Sequence, residues 1–252
     1  MRKLGLATLV ALIGLAVPQG RADEVDDATA TVKAGIKAHG GEEALKKNKA
    51  GEFKMKGSMS ILGADIDYSG TMAYQLPDQF KVTIDMSVMG QAMSIAQVGN
   101  GDKFKMTLNG QAQPLDDKTK GELRQVGASQ EIALLYPLLN KEKYTIKAGK
   151  DAKVADVDCS TVLVEGKSTK AMKLHFDKKT GLMHATVRQA IAPGAGDEVE
   201  ELTVMSDYKA IDGVQTPMKL LVKHDGKAFM STTLSDAKTS VKLDPKVFSI
   251  DD

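Results

Sequence analysis

The 252-residue sequence contains one cysteine and no tryptophan, and aromatic residues make up only 4% of it. A single cysteine cannot form an internal disulfide, so stability has to come from an ordinary packed core, and Cys159 is typical of a half-buried strand thiol. The charge is nearly balanced, with 34 basic and 33 acidic residues, which gives no electrostatic reason to expect nucleic acid as a partner. The 13 methionines favour either a core filled with flexible side chains or a surface that accepts varied apolar partners.

Long apolar runs are also missing, except over residues 4–17 near the N-terminus. This run follows two basic residues and is shorter than the roughly 20 residues of a membrane-spanning helix. Small residues stand at positions −3 and −1 of a cut before Asp23. The layout predicts a cleaved signal peptide over residues 1–22 and a mature protein in the periplasm, without a lipid anchor because no cysteine follows the cut; an uncleaved anchor is the alternative.

Sequence signatures of catalysis do not occur in the chain: there is no Gly-x-Ser-x-Gly elbow, phosphate-binding loop, dinucleotide fingerprint or EF-hand loop. His175 and His184 flank one predicted hairpin and would face each other if Phe176 pairs with Met183. Such a pair needs a third ligand to hold a metal, which the pattern does not supply, and an exposed pair is the alternative. The acidic run at 197–201 is typical of a solvated loop. We therefore expect no enzyme activity, no cofactor and no metal site.

Alternation of apolar and polar residues is the dominant pattern from Glu52 onward. Three successive runs between residues 52 and 88 each place apolar side chains on one face and polar side chains on the other, as in strands with one dry face. Asn-Gly pairs that begin at Asn100 and Asn109 predict tight hairpins. Residues 52–113 are therefore predicted to form an antiparallel meander of about five strands. Further patterns over 144–234 bring the total to ten or eleven.

Helical periodicity is confined to two regions. Residues 26–39 are predicted to form a helix that a Gly-Gly pair stops, and residues 42–47 add another turn or two. A third helix is predicted over 117–126, after an aspartate pair that can cap it, and a proline-interrupted apolar helix over 129–139. The last segment is the most apolar helical piece and is expected against the dry face of the sheet.

A sheet of this size with one dry face has to curl, and its apolar concave side has to be covered. The sequence therefore predicts a mainly β fold with some α-helix: a strongly curved antiparallel sheet that forms an unclosed β-barrel, with helices over the concave face. No linker divides the chain, so residues 23–252 are predicted to form a single domain.

Apolar residues on the predicted dry face and on its helical cover are candidates for lining a cavity that binds acyl chains. The alternative is a filled core, because filled and hollow barrels use the same alternation. The candidate lipid-binding residues are Met55, Met59, Ile66, Met72, Val82, Ile84, Met86, Met93, Met106, Leu135 and Tyr136.

Four segments of the chain resemble the periplasmic LolA/LolB-like lipoprotein-carrier superfamily. They are KAHGGEEAL at 37–45, YQLPDQFKVTI at 74–84, FDKKTGLMHAT at 176–186 and DYKAIDGVQTPMKL at 207–220. Together with the order of the elements, the resemblance spans nearly all of the mature chain. It implies an open β-barrel with a helical lid and an apolar cavity.

The same resemblance implies a soluble carrier in outer-membrane lipoprotein sorting, with lipoprotein acyl chains or lipid as ligand and a transient membrane-protein partner in the envelope. We expect a monomer. One departure concerns the arginine near the cavity that is associated with the soluble carriers, because neither Arg124 nor Arg188 maps onto it. A non-catalytic sensor or structural domain of the envelope, with a filled barrel, is the alternative.

Overall fold

A computed structural model describes residues 20–61, 63–167, 169–193, 196–240 and 242–250. The predicted signal peptide lies outside these residues, apart from its last three, which belong to the first helix. Among the described residues, no helix combines the length and the apolar character needed to cross a membrane.

The described residues form thirteen strands, three α-helices and two short 3₁₀ helices. The strands are β1 Ala50–Ile61, β2 Ala64–Gln75, β3 Gln79–Val88, β4 Gln91–Asn100, β5 Lys103–Leu108, β6 Gln111–Ala112, β7 Tyr144–Val154, β8 Val157–Gly166, β9 Thr169–Asp177, β10 Met183–Ile191, β11 Glu198–Ile211, β12 Val214–His224 and β13 Lys227–Ser240. The helices are α1 Gly20–Ala38, α2 Glu42–Lys47 and α3 Asp117–Ala133, and the 3₁₀ helices are Tyr136–Leu139 and Pro245–Phe248.

All thirteen strands belong to one antiparallel sheet in the order β6-β5-β4-β3-β2-β1-β13-β12-β11-β10-β9-β8-β7. Two meanders, β1–β6 and β7–β13, are joined where the first strand pairs with the last, for example Met59 opposite Met230. The edge strands β6 and β7 do not pair, so the barrel is open. The predicted curved antiparallel fold is confirmed, with thirteen strands rather than ten or eleven.

Strand β13 approaches β1 closely at a glycine on the concave side of the sheet. Gly57 on β1 lies between Tyr68 on β2 and Thr232 on β13. A Cβ on Gly57 would stand 1.7 Å from the carbonyl oxygen of Ser231. The Tyr68 hydroxyl makes a 2.6 Å hydrogen bond with Thr232 Oγ1 beyond this glycine. A residue without a side chain is therefore required for this close approach of the strands.

The helices cover the concave face, as predicted. Helix α1 packs against β7 and β8, while α3 crosses from β4 to β9 and β10. Together with the first 3₁₀ helix they enclose a cluster that we call the helix-covered core. Its fully buried side chains include Val32, Leu45, Ile132, Leu135, Leu138, Val162, Val164 and Leu174.

The middle helical region differs from the expectation of two helices. Helix α3 is continuous over 117–133, and Gly127 within it is buried close to the ring of Phe80, so the helix passes closely over the sheet there. Asp116 caps it by accepting a 2.7 Å hydrogen bond from the backbone N–H of Thr119. The predicted interruption by Pro137 is confirmed, because this proline lies in the 3₁₀ helix that follows α3.

Three boundaries also differ from the sequence prediction. Helix α1 begins at Gly20 rather than at residue 26. The alternation predicts a strand over residues 154–157, but the structure has a turn at Ala155 and Asp156 there, both with positive φ, between the end of β7 and the start of β8. The acidic run at 197–201 enters strand β11 at Glu198 instead of forming a solvated loop, and within it Glu198 pairs with Lys170 and Glu201 pairs with Arg188.

Candidate functional site

A cavity of about 330 Å³ lies between α3 and the concave face of the sheet. This volume is at the low end of the range of about 300–1,000 Å³ that small-molecule sites occupy. The walls are mainly apolar. Their apolar side chains include Leu45, Phe53, Met72, Val126, Ile132, Leu134, Met172, Met183, Met205, Val214, Leu220 and Leu234.

Helix α3 forms one wall of the cavity through a single stripe of its surface. Val126, Ser129, Gln130 and Ala133 line the cavity at spacings of three and four residues, which place them on one helix face. The stripe is mixed in polarity, and so is the facing wall, where Gln215, Thr216 and Thr239 lie among apolar side chains of β12 and β13.

Eight of the eleven candidate residues lie together in a second cluster on the concave face. We call this cluster the apolar trough. Its candidate members are Met55, Met59, Ile66, Met72, Val82, Ile84, Met86 and Met93. Met55 and Met86 are buried, whereas the other six are only partly buried. Phe53, Met72 and Leu234 belong to the trough and also line the cavity, so the two are continuous.

The other three candidates lie elsewhere. Leu135 is fully buried in the helix-covered core, and Tyr136 packs against that core. Met106 lies on β5 opposite Gln97, whose side-chain amide is 4.0 Å from the Met106 sulfur. Of the eleven candidates, Met72 is the one found among the residues that line the cavity.

Two buried polar residues that the sequence analysis missed lie at one end of the cavity, which we call the base end. His39 follows α1 and Asn48 follows α2, and they are only 4% and 6% exposed. His39 Nδ1 donates a 2.8 Å hydrogen bond to the carbonyl of Gly35, and its ring meets that of Tyr208 edge-on. Burial lowers the pKa of His39, and the hydrogen bond to Gly35 opposes this only partly.

The base end also contains one unsatisfied donor. Asn48 Nδ2 is buried and has no hydrogen-bond partner among the described residues. Such groups are rare in folded proteins because each one forfeits its hydrogen bonds with water. The sequence offers a weak signal for these two residues: both stand at helix ends around the Gly-Gly pair at 40–41.

A charged cluster lies at the opposite end of the cavity. Arg188 on β10 donates a 2.7 Å hydrogen bond to Glu201 on β11 and another to Glu122 on α3. Glu201 also lies 3.2 Å from His224. The Arg188 side chain is only 13% exposed. Arg188 thus lies on the cavity wall, where it ties α3 to the sheet.

Phe176 lies opposite Met183, as the predicted histidine pair requires, but a register shift between Met183 and Ala185 places Ala185 rather than His184 opposite His175. Each ring, however, has its own partner. His175 makes a 3.0 Å hydrogen bond with Thr161, and His184 makes one of 3.1 Å with the carbonyl of Val154. His175 is buried, which corrects the expectation of an exposed pair.

Other reactive groups are equally occupied or enclosed. Among the described residues, no group of three or more His, Cys, Asp or Glu side chains is arranged to hold a metal ion. Cys159 is buried in β8 rather than half-buried. Burial raises the pKa of its thiol, which keeps the sulfur in its unreactive protonated form.

A smaller cavity of about 280 Å³ lies beside α3, between the two open edges of the sheet. Its walls carry charges of both signs that are paired with each other. Lys143 is 2.6 Å from Glu131, and Arg124 is 3.7 Å from Asp102. This arrangement leaves little net charge for a ligand to neutralise.

The fold is that of the LolA-like proteins, which confirms the resemblance seen in the sequence. A LolA superfamily protein from Nitrosomonas europaea superimposes with a TM-score of 0.55 at 11% identity, over 88% of this chain and 97% of that chain. An outer membrane lipoprotein-sorting protein domain from Vibrio parahaemolyticus gives 0.54 at 11% identity, over 90% and 96%. A DUF1329 family protein from Desulfovibrio piger gives 0.53 at 13% identity, over 88% and 97%.

At these identities the likeness concerns the fold alone. No protein-family model matches the sequence, and no curated protein matches it. The function has to be argued from the cavity and the trough.

Proposed function

We propose that this protein is a non-catalytic carrier of the bacterial envelope that binds the acyl chains of lipoproteins or lipids. The observation that carries the proposal is the continuity of an apolar cavity with a partly exposed apolar trough on the same concave face. The predicted signal peptide, with no cysteine after it, supports a periplasmic carrier that is not lipid-anchored. The shared fold with a lipoprotein-sorting domain supports the same class of function.

The physical chemistry of the site suits an acyl chain. Burial of each methylene contributes about 0.8 kcal/mol, so six methylenes supply about 5 kcal/mol before the cost of association. Methionine side chains such as Met59, Met72 and Met93 adapt to chains of different shape. Because the trough is only partly buried, a chain that is longer than the cavity can extend along it.

The first test is native mass spectrometry of the protein purified gently from its own envelope, followed by lipid extraction. We expect an acylated species in stoichiometric amount. A clean mass of the unliganded protein, together with no binding of added acyl ligands, would contradict the proposal and favour the sensor or structural domain of the envelope.

The second test blocks the cavity. Met72→Trp places a large ring in the cavity, whereas Thr71→Trp places the same ring on the exposed opposite face of β2. We expect displacement of the fluorescent probe N-phenyl-naphthylamine by palmitate to weaken about tenfold or more in Met72→Trp and to stay unchanged in Thr71→Trp. Equal displacement in both folded variants would place the binding site elsewhere.

A further inference from the structure

The base end of the cavity contains an amide donor without a partner, on Asn48, and the imidazole ring of His39. Asn48 lines the cavity, and its Nδ2 is a buried donor that has no partner among the described residues. On His39, the ring nitrogen Nδ1 must carry the proton, because the Gly35 carbonyl that it contacts can only accept. In the neutral ring the other nitrogen, Nε2, is therefore an acceptor.

The backbone of both residues is held by hydrogen bonds. The N–H of Asn48 bonds to the carbonyls of Ala44 and Leu45 at the end of α2. The carbonyl of His39 accepts a 3.0 Å hydrogen bond from the N–H of Gln215, which also lines the cavity. An ordered backbone and buried side chains reduce the conformational freedom that the two residues lose when they bind a matching polar group.

We propose that Asn48 and His39 bind the linkage group of the acylated ligand. The group that fits is uncharged and carries a carbonyl oxygen for Asn48 together with an N–H or O–H for His39. An N-acyl amide and a monoacylglycerol both provide this combination. The inference rests on the proposed function, since it assigns the polar end of the same ligand.

A free carboxylate fits this pair poorly, because it would turn acceptor oxygens toward the acceptor nitrogen of His39. The cation on the cavity wall, Arg188, lies at the far end. Glu201 and Tyr208 lie at the two ends of the part of β11 that lines the cavity. Tyr208 contacts His39, whereas Arg188 is bound to Glu201 and to Glu122. The geometry therefore selects a neutral linkage over an acid.

The test compares four ligands that share one chain and differ in the linkage. N-methylpalmitamide and monopalmitoylglycerol offer a carbonyl and a donor, methyl palmitate offers a carbonyl alone, and palmitate offers a carboxylate. Each ligand displaces N-phenyl-naphthylamine from the wild type, from Asn48→Leu and from His39→Phe. Asn140→Leu, which changes an exposed asparagine, is the matched control.

In the wild type we expect N-methylpalmitamide, monopalmitoylglycerol or both to bind about tenfold more tightly than methyl palmitate and palmitate. Whichever of these two ligands binds more tightly shows whether the natural linkage is an amide or a glycerol ester. Asn48→Leu should weaken every carbonyl ligand about tenfold, while its melting temperature stays level or rises because an unsatisfied amide has been removed. His39→Phe should abolish only the preference for amide or monoacylglycerol over ester. Asn140→Leu should match the wild type.

If both variants fold and retain the wild-type ranking of ligands, the inference is wrong while acyl binding stands. If no ligand displaces the probe from the wild type, the proposed function itself is wrong. Should Asn48→Leu fail to fold, Asn48→Ala removes the same donor with a smaller side chain and gives the same comparison.

Discussion

Replacement of Arg188 by methionine is expected to destabilise the protein by about 3 kcal/mol. Arg188 bonds to Glu201 at 2.7 Å and to Glu122. The three side chains are between 13% and 19% exposed. Methionine retains much of the aliphatic volume of the arginine but leaves two carboxylates near each other without their cation.

The magnitude follows from this burial. Removal of one partner from a buried ion pair costs about 3–5 kcal/mol, and the lower end applies here because no member is fully buried. An exposed pair provides the matched control. Lys54 and Asp236 are equally close, at 2.8 Å, but their side chains are 65% and 59% exposed. Lys54→Met should therefore cost less than about 1 kcal/mol.

The assay is urea unfolding followed by far-UV circular dichroism, because the chain has no tryptophan to report on unfolding. Addition of Glu122→Gln and Glu201→Gln to Arg188→Met should restore most of the lost stability, since the unpaired charges are then gone. A loss below about 1 kcal/mol in Arg188→Met, similar to that of Lys54→Met, would refute the reasoning that burial sets the strength of this cluster.

Three further predictions concern pH, a turn and the curvature of the sheet. Burial lowers the pKa of His39 and of His175, so below the ordinary value of 6.5 the unfolded chain takes up protons that the folded protein does not. The free energy of unfolding should therefore fall as the pH drops below neutral, by up to about 1.4 kcal/mol per pH unit for each histidine. In urea titrations at several pH values, His39→Gln should reduce the slope of this free energy against pH. An unchanged slope would show that His39 does not contribute to the pH dependence. Met89 is 90% exposed at a hairpin tip and has a φ of 52°, a conformation that asparagine adopts more easily than methionine. Met89→Asn should therefore stabilise the protein by about 0.5–1 kcal/mol, measured in thermal melts. A lower melting temperature would contradict this prediction. Gly57→Ala should destabilise by about 3 kcal/mol, because its Cβ would meet Ser231; a loss below about 1 kcal/mol in urea would mean that β1 and β13 can move apart.

Much of the fold could be predicted because its signals are local. Alternation along residues 52–88 gives the strands and their dry face, and an Asn-Gly pair such as that at Asn109 places a hairpin. The interruption at Pro137 and the capping aspartate before α3 are local signals too. The continuous helix through Gly127 was missed, because the contact that accommodates this glycine comes from Phe80, far away in the sequence.

The candidate site was only partly predictable for the same reason. Alternation identifies the inward face of a strand, so it selected Met59 and Ile84 as readily as Met72. The place where α3 crosses that face decides which of these residues line a cavity and which lie in the open trough. Arg188 carried no signal and Asn48 only the weak one of its position at a helix end, since the partner of the one and the missing partner of the other depend on tertiary contacts.

The sequence by itself determined the strands, the turns, the predicted export signal and the amphipathic faces, because each depends on neighbouring residues and on the periodicity of the backbone. Only the tertiary structure decided that β1 pairs with β13, that α3 leaves a cavity beneath it, and that a buried donor and acceptor lie at its base. These features arise between segments far apart in the chain, where packing and the geometry of coiling, rather than local preference, select the contacts.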